Sequence, residues 1–155
     1  IFTWLSGYTF ITIPIMIVLL ISLMKIILNN QGKIEAKDVK TAVFLRFPFY
    51  IYSGWISVAL IADIATYLKK IEWSGFGLPE MYWAVIMIAI ASILHLYMIW
   101  KRNMNAFAVV AVWAFIAIAV ANQDVNKTVY LTAIVAAVLV AVNILLRLLR
   151  KNSVF

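Results

Sequence analysis

The amino-acid sequence predicts an all-α fold, a five-transmembrane-helix bundle with its N-terminus outside and its C-terminus inside. Hydrophobic residues make up 66% of the 155-residue chain and charged residues only 12%, whereas soluble domains are close to half apolar and a quarter charged. The apolar residues lie in five uncharged blocks, each near the roughly 20 residues that a helix needs to cross about 30 Å of hydrocarbon. These observations predict one integral membrane domain over residues 1–155, with spans at about 8–28, 45–68, 81–100, 104–121 and 128–149.

The first two spans flank the longest polar stretch of the chain. The first apolar block has no basic leader and no small-residue cleavage site, so we interpret it as a true span and not as a signal peptide. Residues 29–40 are predicted to form a short surface helix. Pro48 falls in the first turn or two of the second span, where its missing N–H does little harm.

Short turns separate the remaining spans. Residues 72–80, EWSGFGLPE, predict an outer turn with Trp73 and Trp83 at interfacial depth. Residues 100–103 form so short an inner link that spans three and four must be antiparallel neighbours. Residues 122–127 close the outer ends of spans four and five.

The distribution of basic residues predicts the orientation. Ten of the lysines and arginines fall on the side of the 25–46 loop, the 100–103 turn and the C-terminus, against three on the opposite side. Cytoplasmic loops carry the excess of positive charge. The net charge of +7 is therefore attributed to topology and to anionic lipid, not to nucleic acid.

Polar and aromatic side chains follow one face of the second span. Steps of three or four place on it Tyr52, Trp55, Ala59, Asp63 and Tyr67. An aspartate in hydrocarbon costs roughly 2.5–3.5 kcal/mol, so this face is expected to point at other helices or at a cavity. Three interpretations of Asp63 stay open: a carboxylate that is hydrated or capped by a Tyr or Thr hydroxyl, the wall of a ligand pocket, and a proton or ion relay. We expect an outward-opening crevice bordered by Tyr67.

His95 is the only histidine and lies near the inner end of the third span. It should lie roughly 15 Å from Asp63 along the membrane normal, which excludes a direct pair. One histidine cannot supply both axial ligands of a b-type haem. Packing with Ser92 or an asparagine is expected, with a five-coordinate haem or a single metal contact as the alternative. An inner polar cluster is predicted from residues at similar depth, namely Tyr50, His95, Asn105 and Asn143.

Spans four and five are rich in alanine at small-xxx-small spacing, which lets helix backbones approach closely. The positions concerned are Ala117 and Ala121 in span four, and Ala133, Ala137 and Ala141 in span five. Two uses stay open: packing inside the bundle, and the seam of a homodimer.

Several kinds of chemistry have no support in the sequence. The absence of cysteine excludes disulfides, thiolate metal sites and cysteine nucleophiles. No nucleophile–base set, glycine-rich phosphate loop or metal-ligand spacing occurs. No lysine lies at the centre of a span, which argues against a retinal Schiff base. We therefore predict no catalytic activity, no metal and no cofactor.

A family resemblance rests on motifs in three spans. The segments are FPFYIYSGWISVALIAD at 47–63, EWSGFG at 72–77, Trp83 and VWAFIAI at 112–118. From about Arg46 to Asn122 the sequence resembles the tryptophan-rich sensory proteins, which are linked to the translocator-protein (TspO/MBR) superfamily. The resemblance implies five helices and a sensory or ligand-binding role, with porphyrins and sterols as ligands of relatives. Asp63 stands where that family has asparagine.

Together these observations predict a non-enzymatic multi-pass membrane protein that binds a hydrophobic small ligand of the porphyrin, sterol or lipid class. The predicted pocket is lined by Tyr52, Trp55, Asp63, Trp83 and Trp113, because binding sites combine apolar walls with a few polar anchors. The alternative is a small accessory subunit of a respiratory, photosynthetic or transport complex, without a ligand of its own. The lipid bilayer is the expected environment, in a bacterial inner membrane or an organellar membrane, as a homodimer or within a larger complex.

Overall fold

Five α-helices and one short 3-10 helix (Gly75–Gly77) account for most of the part of the chain that the structure describes. The structure is a computed structural model and describes residues 9–30, 47–73 and 75–152. The helices are α1 (Thr9–Asn30), α2 (Phe47–Lys70), α3 (Glu80–Arg102), α4 (Asn105–Asn122) and α5 (Lys127–Asn152). Each is long and apolar enough to cross a membrane, and no strand occurs in these ranges. The prediction of an all-α protein with five spans is confirmed, while residues 31–40 of the expected surface helix lie outside the described ranges.

The helix ends follow from local sequence. Pro48 lies in the first turn of α2, as expected. Helix α3 ends at Asn103, whose left-handed backbone (φ 56°) lets the Met104 N–H bond the Met98 carbonyl at 3.2 Å. Asparagine tolerates this conformation better than most side chains, which explains the tight inner turn before α4. At the start of α5, the Asn126 side-chain oxygen accepts the N–H groups of residues 128 and 129, as helix N-caps do.

The helices fall into two compact groups, Ile1–Trp73 and Ser74–Phe155. In the first group α1 packs on α2. In the second group α3, α4 and α5 all pack on one another, with the most extensive packing between α4 and α5. The organisation of the chain as one domain stays a prediction.

Alanines form much of the core of the second group. Those of α5 at 133 and 137 are buried, so this part of the small-residue seam serves packing within the chain. In α4 the buried positions include Ala108, Ala111, Phe115 and Ala119, whereas Ala117 and Ala121 are exposed. The small-residue seam expected in α4 therefore lies on a different face of the helix from the face that packs against α3 and α5. The reason is that α4 is apolar all round, so spacing alone does not select the packed side.

Candidate functional site

Asp63 is bonded to a threonine of the neighbouring helix. The Thr12 hydroxyl on α1 donates to Asp63 Oδ2 at 2.5 Å, and Asp63 is only 6% exposed. One turn further along α2, the Tyr67 ring lies 6.0 Å from the Phe10 ring of α1. Of the interpretations left open for Asp63, capping by a threonine hydroxyl is the one that these contacts support. A carboxylate satisfied in this way is far less costly in an apolar surrounding than an unpaired one.

The polar and aromatic face predicted on α2 is buried at one end of the helix and exposed at the other. At its outer part Asp63 is buried, whereas further toward the inner end Tyr52 and Trp55 are 48% and 42% exposed. The buried side of α2 there consists of Ser53, Gly54 and Ser57. Each serine hydroxyl donates to a carbonyl of its own helix, which satisfies the buried group and leaves a small, smooth surface. The aromatic rings at 52 and 55 are therefore presented outward.

Trp83 is bonded into the outer turn. Its indole N–H donates to the Gly75 carbonyl at 3.0 Å. Gly75 has a φ of +60°, and a Cβ at this position would lie 2.6 Å from Trp83 Nε1. Two separate constraints therefore require glycine at position 75: the left-handed backbone conformation and the close approach of the indole ring. The contacts of Trp83 with Gly75 therefore help to hold the conformation of this turn.

Trp113 lines an apolar groove on the second helix group. The groove has a volume of about 380 Å³, and only helices α4 and α5 form it. Its lining residues are all apolar: Val109, Val112, Trp113, Ile116, Ala141, Ile144 and Leu145. Trp113 itself is 61% exposed. The groove is open and not enclosed.

His95 is fully buried beneath an aromatic ring. Its imidazole stacks on Phe107 with ring centroids 4.7 Å apart. Its Nδ1 lies 2.7 Å from the Ala91 carbonyl and therefore carries the proton of that bond. The expectation that Ser92 or an asparagine satisfies His95 is wrong: Ser92 donates to the Ile88 carbonyl of its own helix, and neither it nor an asparagine of the described ranges bonds either ring nitrogen of His95. This leaves Nε2 buried without a hydrogen-bond partner in the part of the chain that the structure describes.

The inner end of the second group carries a polar network that differs from the predicted cluster. Trp100 Nε1 donates to Asn143 Oδ1 at 3.0 Å, which joins α3 to α5. The Arg147 guanidinium lies 5.5 Å from the centre of the Trp100 ring. Its Nε and Nη2 both donate to Asn103 Oδ1 in the turn after α3. This network, which we call the inner network, consists of Trp100, Asn103, Asn143 and Arg147.

The predicted inner polar cluster stays a prediction. Among the described residues, no hydrogen bond joins His95, Asn105 and Asn143 to one another. Asn105 Oδ1 is buried without a partner there. Tyr50 lies half-buried on α2, in the other helix group, and its membership of the cluster stays a prediction.

The comparison with protein families identifies the family of this chain. The sequence pattern of the family described as TSPO-like protein matches residues 1–146. The chain belongs to the TSPO-like family. No curated protein and no solved structure matches it. The family match extends well beyond residues 46–122, on which the resemblance in sequence rests, and it includes all five helices in whole or in large part.

As a TSPO-like protein, the chain belongs to a family that is five-helical and generally non-enzymatic. Within residues 9–30, 47–73 and 75–152, no three His, Cys, Asp or Glu residues lie close enough to hold a metal ion.

The contacts of the candidate site that sequence reasoning missed are those between distant segments. Thr12 and Asp63 are 51 residues apart. A comparison of depth could have paired them, since both lie within two turns of the predicted outer end of their span. No such signal singles out Arg147 or Asn103, because polar residues are common at the inner ends of spans.

Proposed function

We propose that this TSPO-like protein is a non-enzymatic membrane protein that binds a hydrophobic small ligand, with the Trp113 groove as part of the binding site. The observation that carries the proposal is the groove itself. Its volume of about 380 Å³ falls within the range of ligand sites, which are roughly 300–1,000 Å³ and mostly apolar. One of its walls is a tryptophan that the sequence had already singled out.

The lining of the groove favours one class of ligand. None of its seven lining residues is charged. A group held there gains from apolar contact and from packing against the face of the Trp113 ring. Sterol and lipid chains meet this requirement, whereas the charged propionates of a porphyrin would need partners outside the lining. The ligand class proposed for the groove is therefore sterol or lipid.

The other residues of the predicted pocket contribute differently. Tyr52 and Trp55 present rings on the exposed side of α2. Trp83 uses its N–H in the outer turn, so its ring face is what it offers a ligand. Asp63 uses Oδ2 to accept from Thr12, which leaves Oδ1 as its acceptor for a ligand hydroxyl. Participation of these four residues in ligand binding stays a prediction.

The proposal is tested by filling the groove. Ala141 lines it, and Ala141→Phe places a ring in its volume. Dibromostearic acid, a brominated fatty acid that quenches tryptophan fluorescence on contact, is titrated into the protein in a neutral detergent. We expect saturable quenching in the parent protein and its loss in Ala141→Phe and in Trp113→Phe. The matched control is Ala117→Phe, an exposed alanine of α4 outside the lining, which should quench as the parent does.

Unchanged saturation in Ala141→Phe would overturn the groove as the binding site. Purification in a gentle detergent addresses the accessory-subunit alternative at the same time. Co-migration with a larger membrane complex, together with no saturable quenching, would support that alternative against the proposal.

A further inference from the structure

Arg147 lies at the predicted inner end of the second helix group, and none of its contacts among the described residues is to an acidic side chain. The sequence of this group from 74 to 155 contains two acidic residues, Glu80 and Asp124. Glu80 begins α3 and Asp124 follows α4, so both lie at the outer end. Helix α3 alone separates the two ends by roughly 30 Å. Among the described residues of its helix group, Arg147 therefore has no carboxylate within reach.

The Arg147 guanidinium is held in a fixed orientation. It lies over the Trp100 ring, and two of its donors go to Asn103 Oδ1. Trp100 is fixed in turn by Asn143, whose amide donates to the Leu139 carbonyl. A guanidinium has five N–H donors. Three of the five N–H donors of Arg147 therefore have no partner in the described part of the chain. Their positions are fixed before a ligand binds.

A guanidinium prepared in this way is suited to a phosphate group. Arginine recognises phosphate through parallel, charge-assisted hydrogen bonds. Because the side chain is already ordered, binding costs little further rotamer entropy. The predicted topology places this end on the inner side of the membrane, where anionic lipids attract basic side chains.

The apolar groove reaches the same end of the molecule. Ile144 lines it, and Arg147 lies three residues further along α5, about 4.5 Å of rise toward the inner end. On α4 the lining starts at Val109, one turn from the inner end of that helix, and continues to Ile116 over about 10 Å. Arg147 and the groove lining therefore lie within about one helical turn of each other along α5, a separation that a phospholipid, with its charged headgroup and its apolar chain, can span.

We propose that this chain binds an anionic phospholipid, with the headgroup phosphate at Arg147 and one acyl chain in the groove beside Trp113. This inference rests on the proposed function and names its ligand. It commits to a phospholipid and not to a free phosphate ion because the groove supplies the apolar part of the site.

Native mass spectrometry of the purified protein tests the inference. The protein in neutral detergent is supplied with equimolar phosphatidylglycerol and phosphatidylcholine that carry identical acyl chains. We expect the parent protein to retain phosphatidylglycerol about tenfold better, because the choline ammonium of phosphatidylcholine repels the Arg147 guanidinium and offsets the attraction of its phosphate. Arg147→Gln should reduce this preference to near unity. Arg150→Gln, which removes the same charge one turn further along α5, should preserve it.

Two further arms separate the outcomes. Ala141→Phe should lower retention of both lipids alike, because it fills the part of the site that the acyl chain occupies. A large excess of inorganic phosphate should leave phosphatidylglycerol bound, and its displacement would show a phosphate-ion site instead. If Arg147→Gln fails to fold, as judged by its melting curve, Arg147→Lys takes its place as the test of the headgroup site. Lysine keeps the charge and loses the planar fork, so an intermediate preference is expected.

The two proposals fail in different ways. Equal retention of both lipids by the parent, or a preference that survives in both Arg147 variants, overturns the headgroup site and leaves the groove intact. If Ala141→Phe leaves the retention of both lipids unchanged, the groove is not the binding site, and the proposed function fails with it.

Discussion

The Thr12 hydroxyl donates to Asp63 Oδ2 across 2.5 Å and so joins the first two helices of the chain. Both residues are buried, at 7% and 6% exposure. Beside them the rings of Phe10 and Tyr67 make contact between the same two helices. A polar bond and an aromatic contact thus lie together near the predicted outer end of this helix pair, where hydrocarbon makes an unpaired carboxylate costly.

Removal of the Thr12 hydroxyl should weaken the helix pair. Thr12→Val keeps the shape of the side chain and leaves Asp63 Oδ2 without its donor. We expect a loss of about 1–3 kcal/mol in the free energy of unfolding, the penalty of a stranded buried acceptor. Thr12→Ser keeps the hydroxyl and is the matched control. Equal melting temperatures for the valine and serine variants, measured by circular dichroism in detergent, would show that the bond contributes nothing to stability.

Replacement of the Asp63 carboxylate by an amide should be tolerated. Asp63→Asn has the same volume, and its side-chain oxygen still accepts from Thr12. We expect it to insert and melt as the parent does. Asp63→Leu should also insert, since leucine enters hydrocarbon readily, but it should weaken binding of a ligand that carries a hydroxyl group, because it removes the acceptor at this position. Failure of Asp63→Asn to assemble would mean that the charge itself is structural.

The outer turn should be sensitive to Gly75 and much less so to Gly77. Both have positive φ, +60° and +80°, so an alanine is strained at either. Only at 75 does the new Cβ also collide with the Trp83 indole, whereas nothing lies within 4 Å at 77. We expect Gly75→Ala to lower the melting temperature more than Gly77→Ala. A shift in the tryptophan emission of Gly75→Ala alone would report displacement of Trp83, and identical behaviour of the two variants would contradict the collision.

The role of His95 can be separated into packing and polarity. His95→Ala removes the ring that stacks on Phe107 and leaves a cavity, so we expect a loss of about 2–4 kcal/mol in the free energy of unfolding. His95→Phe keeps a ring against Phe107 and removes the buried Nε2 that has no partner in the described chain. It should melt near the parent, because deletion of an unsatisfied polar atom offsets the lost bond to Ala91. A phenylalanine variant that folds but loses ligand binding would instead assign Nε2 to a ligand.

The sequence alone determined the number of helices and their boundaries to within a few residues. In hydrocarbon every backbone N–H and C=O must be satisfied within the segment, so a long apolar block has little choice but to form a helix. The outer turn was predictable from its glycines and proline, and the inner turn from the short link between two apolar blocks. The structure adds that Gly75 and Asn103 adopt a left-handed backbone in these turns. The family resemblance, carried by motifs within residues 46–122, was confirmed over residues 1–146.

Only the tertiary structure decided which side of each helix is buried and which polar groups meet. In α4 the apolar residues surround the helix, so no periodicity distinguished the buried Ala111 from the exposed Ala117. The partner of Asp63 is 51 residues away, and Arg147 lies 44 residues from Asn103. Such pairs depend on how helices rotate and slide against one another. Local sequence does not encode this packing, because lipid solvates each apolar face about as well as a neighbouring helix does.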